Sequence, residues 1–278
     1  MLPFYTSDAD LASIKLIATD MDLTLLPDDK SMPAGVDERV RALAEAGVYF
    51  CAASGRPAPA LRECFAASHG EMALIPDNGG TIFVRDELIY RDLLDVQLYR
   101  DILTCGAEDG RVVPALCAFE TSYVLERDRA YHDELSIYYK DIVYVDSFAD
   151  LNVEANKVSV LCPDWNSPEV LANLFEPAFS DRVYITCAGN EWIDFMNHGI
   201  DKGSGIRRLA AHLGIELADV AAFGDTYNDI PMLETVGHSF LVANAAEHME
   251  AHARYRCPSN NDGGVLEVID AILAAKRA

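Results

Sequence analysis

Apolar residues gather near the start of this chain in two short runs, each ending on a polar group. Residues 13–20 hold Ile14, Leu16, Ile17 and Ala18, broken only by Lys15, and close on Asp20; residues 48–54 repeat the design and close on Ser54. Short apolar runs without alternation predict strands buried on both faces, as in a parallel sheet. Between them Val36, Val40, Leu43 and Ala44 mark one helical face, with Gly47 at the expected C-cap. Strand, helix, strand makes a crossover unit, which implies parallel pairing and a right-handed connection.

The same alternation returns near the C-terminus. Residues 203–213 read as a helix, 220–223 as a short buried strand, 229–236 as a helix, 239–242 as a strand and 262–276 as a closing helix with Val265, Val268, Ile269 and Ile272 inward. From about Arg85 to Asn190 the texture changes to short β-like runs, at 88–90, 122–125, 142–145 and 157–161, with 81–84 leading in and candidate helices at 95–104 and 167–175. The pattern predicts an α/β fold: a doubly wound, mainly parallel Rossmann-like sheet with an inserted α+β domain. The expected division is core 1–84, insertion 85–190 and core 191–278, with short hinges near 84 and 190.

Composition narrows the class. At 278 residues and 50% hydrophobic content the chain can fill a sizeable core. No apolar run approaches the roughly 18 to 20 residues that cross a bilayer, and residues 1–12 carry acids without a basic leader region, so a cytoplasmic protein with no membrane partner is expected. Seven scattered cysteines with no CxxC pair read as reduced, mostly buried thiols. A net charge of -23 argues against nucleic acid, because a polyanion is bound through a positive stripe that displaces its counterions. An acidic protein acting on an anionic substrate needs a local cation, either a metal or a few placed Lys and Arg side chains.

Four stretches offer that chemistry. Asp20-Met21-Asp22-Leu23-Thr24 begins where a parallel strand ends, the edge at which open α/β sheets place ligands. A carboxylate there is ionised at neutral pH and can attack phosphorus, while Asp22, two residues on, can turn toward the same cavity. Ser54-Gly55-Arg56 closes the adjacent strand; the Ser54 hydroxyl and Gly55 amide can point at the same place, and Arg56 is left either in the site or bracing the core. Lys202 opens a helix whose N-terminus favours anions. Gly224-Asp225-Thr226-Tyr227-Asn228-Asp229 follows a buried strand: Asp225 can ligate a metal, Asn228 can hydrogen-bond phosphate, and Asp229 is placed to support the ion through water or to hold Lys202. Oxygen-only ligands from few carboxylates suit Mg²⁺ rather than zinc. Lys157 reads as structural or substrate-facing. His248 and His252 lack the HExxH pattern and read as a solvated helix, and no P-loop or dinucleotide loop is present.

In this order the stretches resemble the haloacid dehalogenase superfamily of phosphatases, in the Cof-type (subclass IIB) branch with a large α/β cap. The resemblance implies Asp20 as the nucleophile forming an aspartyl-phosphate, and Asp22 as general acid and then base. Ser54, Gly55, Lys202 and Asn228 would bind phosphate, and Asp20, Asp22 through its backbone carbonyl, and Asp225 would hold Mg²⁺. Asn78-Gly79-Gly80 matches the family's turn near the cap boundary, and Trp192-Ile193-Asp194-Phe195-Met196 looks like the strand by which such caps return to the core. Leu23 replaces the usual glycine of the first motif, and Asn197 stands where proline is frequent. The insertion carries nine Lys plus Arg against twenty Asp plus Glu. A small phosphorylated metabolite, a sugar phosphate or phosphorylated cofactor with one phosphate, is therefore the expected partner of a monomeric or homodimeric enzyme. A sugar phosphomutase shares the four motifs and is the alternative; the acidic insertion speaks against it.

Overall fold

Leu16–Thr19 (β1) is the pivot of the larger of two sheets. The computed structural model describes residues 2–277. On one side of β1 lie Tyr49–Ala53 (β2), Ala73–Ile75 (β3), Thr81–Val84 (β4) and Glu87–Arg91 (β5); on the other lie three strands from the end of the chain. The smaller sheet takes Val113–Ala118 (β6), Thr121–Leu125 (β7), Ile142–Val145 (β8), Lys157–Leu161 (β9), Tyr184–Ala188 (β10) and Trp192–Met196 (β11). Val220–Gly224 (β12), His238–Val242 (β13) and Tyr255–Cys257 (β14) complete the larger one, in the order β14-β13-β12-β1-β2-β3-β4-β5.

Pairing is parallel from β14 through β3 and antiparallel at β4 and β5. The fold class is thus the expected α/β one, and β1 is the strand where the winding changes direction. Both sheet faces are covered. Val36–Glu45 and Gly264–Arg277 pack on one face through Val40, Leu43, Val265, Val268 and Ile272, and Lys202–Leu213 and Ile230–Thr235 cover the other through Ile206, Leu209, Met232 and Leu233. Ala44, expected on the inner face, is exposed. Leu43 and Val40 already fill that stripe, and the helix ends one residue later at Glu45.

The smaller sheet runs β10-β11-β9-β6-β7-β8, antiparallel except for β7 with β8. Strand alternation sorts its residues. Val158, Val160, Ile193 and Phe195 pack under the helix Val96–Asp109 and the helical stretch 167–179, while Leu161 and Trp192 lie in a cluster on the opposite side with Tyr139 and Leu135. Two strands fall outside the expected division: β5 belongs to the larger sheet and β11 to the smaller, so the junctions expected near 84 and 190 each fall one strand early. The chain changes sheet after Arg91 and again after Met196. Asn197 joins the two crossings, its Nδ2 donating to Asp92 Oδ2 and to the Leu93 carbonyl, both at 2.8 Å. All seven cysteines are free; five are buried, and Cys64 and Cys105 are half-buried.

Candidate active site

Each expected residue of the core sits at the end of a parallel strand or on the turn beyond it. Asp20 follows β1, Ser54 follows β2 and Asp225 follows β12; these three strands are neighbours, and all their C-terminal ends face the same way. Lys202 opens the helix Lys202–Leu213, whose Asp201 cap accepts from the Ser204 amide at 2.6 Å while Ser204 Oγ accepts from the Asp201 amide at 3.1 Å. Gly203 lets this helix approach the next one. A Cβ there would lie 2.2 Å from the Pro231 carbonyl oxygen.

Charge is concentrated at one point. The fully buried Lys202 Nζ donates to Asp20 Oδ1 and to Asp229 Oδ1, each at 2.6 Å. Burial alone would lower this ammonium, but Asp20 and Asp229 outweigh it and hold it above its ordinary value. Asp20 is pushed up to about 7, first by burial and then by Asp229 and Asp22, against the pull of Lys202. Asp225 is also held well above the usual carboxylate range, by burial and by its acidic neighbours. Thr24 donates to Asp225 Oδ1 at 2.8 Å, so the last residue of the first motif orients the acid of the last one. Asp229 Oδ2 accepts from the Asp225 and Thr226 amides.

Oxygens of Asp20, Asp225 and Asp229 lie within 4.8 Å of one another. Three carboxylates against one ammonium leave a buried deficit of positive charge, and an all-oxygen set fits a hard divalent cation. The cluster contains Asp229, expected as support through water or as a partner of Lys202, and the Asp22 side chain, not itself an expected ligand, lies outside it. Arg56 takes that side chain instead: Nε donates to Asp22 Oδ2 at 2.8 Å and Nη2 to Oδ1 at 2.6 Å. The guanidinium also lies 5.3 Å from the centre of the Tyr138 ring, so Arg56 joins the first motif to the second sheet. Asn228, expected to donate to phosphate, has its Nδ2 directed at Asn78 Oδ1 at 3.2 Å. Its own Oδ1 is buried without a partner and is an acceptor rather than a donor.

These groups open into one cavity of about 610 Å³ between the two sheets, with Asp20, Asp22, Ser54, Gly55, Asp225 and Asn228 on its floor. The opposite wall comes from the inserted domain: Tyr138, Trp165, Asn190, Glu191, Trp192, Lys157 and Asp194. Leu23, in the glycine position of the motif, adopts φ 59° and also lines the cavity, a left-handed conformation that costs a non-glycine residue roughly 1–2 kcal/mol. Sequence reasoning missed Lys30, Tyr138, Trp165 and Asp194. Asp194 had a signal, since Trp192–Met196 alternates about a lone acid in a buried strand. His248 stacks on Tyr227 and His252 bonds Glu234, so neither enters the site.

A family model for haloacid dehalogenase-like hydrolases matches residues 17–269, spanning both arms of the core and the whole insertion. The chain belongs to that family. The 5-amino-6-(5-phospho-D-ribitylamino)uracil phosphatase YbjI of Escherichia coli is 33% identical over 268 residues, covering 94% of this chain and 97% of the relative. The crystal structure of SMU.1108c from Streptococcus mutans superposes with a TM-score of 0.86 at 28% identity, covering 94% of this chain and 99% of that one. The subclass IIB sugar phosphatase BT4131 has the same fold, with a TM-score of 0.75 at 22% identity, covering 92% of this chain and 98% of the other. The smaller sheet and its helices are therefore the inserted domain of a haloacid dehalogenase-like phosphatase, a phosphoric monoester hydrolase. No helix among the described residues is long and apolar enough to cross a membrane.

Proposed function

We propose that this phosphatase hydrolyses a small phosphomonoester through a phosphoryl-enzyme on Asp20, with Mg²⁺ as cofactor. One observation carries the reading: the carboxylates of Asp20, Asp225 and Asp229 converge on a single buried point beside Lys202, on the floor of the cavity. Lys202 fixes Asp20 Oδ1, and Oδ2 attacks phosphorus. The bond from phosphorus to the leaving oxygen breaks, and Asp22 supplies that oxygen with a proton. Asp22 then takes a proton from the water that attacks the acyl phosphate, which frees inorganic phosphate and restores Asp20. Arg56 holds both Asp22 oxygens and must release one of them for Asp22 to reach the leaving oxygen.

The Ser54 hydroxyl and the Gly55 amide would hold the phosphoryl oxygens. Asp20, Asp225, Asp229 and the Asp22 backbone carbonyl would hold the cation. Bound there, Mg²⁺ would offset the charge of the transferring group. Lys30, Arg56 and Lys157 are the cavity's cations, and each is engaged, by Tyr138, Asp22 and Gly55 respectively. That supports one phosphate and favours hydrolysis over mutase chemistry. The aromatic cap wall of Tyr138, Trp165 and Trp192, beside Asn190 and Glu191, suits a flat remainder with hydrogen-bonding edges. The Escherichia coli relative is named for a phosphate of that kind, and we extend the class to this chain.

Phosphate release from a panel of phosphorylated metabolites, with and without Mg²⁺, tests the proposal. Metal-dependent turnover is expected, fastest on monophosphates with a planar heterocycle. Asp20→Asn should lose about three orders of magnitude or more, and acid quench of wild-type turnover should trap phosphate on Asp20. Metal-independent turnover, or an active Asp20→Asn, would overturn it.

A further inference from the structure

A second buried polar cluster lies where the cap meets the phosphate loop. Lys157 and Asp194 come from β9 and β11 of the cap sheet, yet both side chains are within 4% of complete burial and face the core. Lys157 Nζ donates to the Gly55 carbonyl and lies 3.4 Å from Asp194 Oδ1. Asp194 accepts from Ser159 Oγ at 2.5 Å and, on its other oxygen, from Asn78 Nδ2 at 2.7 Å. Asn78 Oδ1 in turn accepts from Asn228 Nδ2. Gly55 is glycine for a reason found here, since a Cβ would stand 3.2 Å from Asp194 Oδ2.

The geometry points to Lys157, Asp194 and Asn78 as a positioning network through which the closed cap builds the phosphate site. Its two ends are the two elements that grip the substrate. One end fixes the Gly55 peptide, whose carbonyl is held by Lys157, so that the Ser54 hydroxyl and Gly55 amide present a set geometry. The other end fixes the Asn228 amide through Asn78, and its buried oxygen is left without a partner. A cap that swings away takes Lys157 and Asp194 with it and leaves both grips unsupported, so chemistry is confined to the closed state. None of the three needs to touch the leaving group. Burying an ion pair at a domain joint costs desolvation, and that cost is returned only when the pair is fully hydrogen-bonded, which requires Gly55 and Asn78 from the other sheet.

The inference rests on the hydrolytic reading, and the test separates the two. Asp194→Asn, Lys157→Met, the doubly neutral pair and Asn78→Gly would be assayed with p-nitrophenyl phosphate, a small ester that asks little of the cap wall, and with the best metabolite. Asn78 takes φ 52°, so glycine keeps its backbone while removing both hydrogen bonds and no charge. In every variant with a cooperative melt, kcat should fall by about tenfold or more on both substrates alike, and inorganic phosphate should inhibit correspondingly more weakly. Lys157→Arg should recover part of the loss. A lower Tm with unchanged kcat and unchanged phosphate inhibition would overturn the inference, as would a loss confined to one substrate. An inactive wild type would instead defeat the hydrolytic reading.

Discussion

Asp77 is a carboxyl with almost no contact with water, at 1% exposure, and it has an unusual pH signature. Burial pushes it up to about 6 from an ordinary 3.8, against the pull of Lys157 and a hydrogen bond from Asn156 at 3.0 Å. Below 3.8 it is protonated in both the folded and the unfolded chain and has no effect on the balance. As pH rises toward 6 the unfolded chain gives up this proton first, so stability declines through that window and levels off above it. The loss is on the order of 3 kcal/mol. Asp77→Asn keeps the shape and the Asn156 contact without the proton. Urea denaturation of wild type and variant from about pH 4 to about pH 7 should show their difference falling up to about pH 6 and then flat; parallel curves would refute the assignment.

At the scale of elements, the site depends on how closely two helices approach. Lys202 reaches Asp20 because Gly203 lets its helix touch the Pro231 carbonyl, where a methyl group would stand at 2.2 Å. Gly203→Ala should cost about 1–3 kcal/mol of stability and lower kcat more than its Tm loss would suggest, because the ammonium is displaced. Thermal melts and steady-state kinetics on the same sample check both. The sequence revealed the strands that carry Asp20, Ser54 and Asp225, because each is a short, mostly apolar run ending near its functional group. It hid others for physical reasons. β6, central to the cap, contains Pro114, which cannot donate to a ladder and reads as a break. β3 and β14 have three residues each, too few to show a period. The β4–β5 hairpin turns on Arg85 and Asp86, both at positive φ, without the Asn-Gly pair that normally announces such a turn. That is why β5 was assigned to the insertion. The network joining Asn78, Lys157 and Asp194 lies beyond local pattern, since its hydrogen bonds link positions from 35 to 150 residues apart.

For the whole molecule, the question is how the cap is tied to the core. Among the described residues the chain passes between them at two crossings, after Arg91 and after Met196, and Asn197 ties these together through Asp92 and Leu93. Asn197→Ala should loosen that tie and change KM and kcat together, by a few-fold each, while leaving the carboxylate cluster unaltered. Kinetics on a small and a bulky ester check this; a change in kcat alone would place the effect in the chemistry instead. The charge of -23 sets a repulsive field against an anionic substrate, and the proposed cation at the cluster near Lys202 would offset it locally. The distribution of thiols has a practical consequence. Burial raises all seven thiols, and two are partly open: Cys64 on the core helix Ala58–Cys64 and Cys105 on the cap helix Val96–Asp109. The unaltered protein thus carries one fluorophore attachment point on each side of the cavity, a built-in ruler for the separation of core and cap in solution.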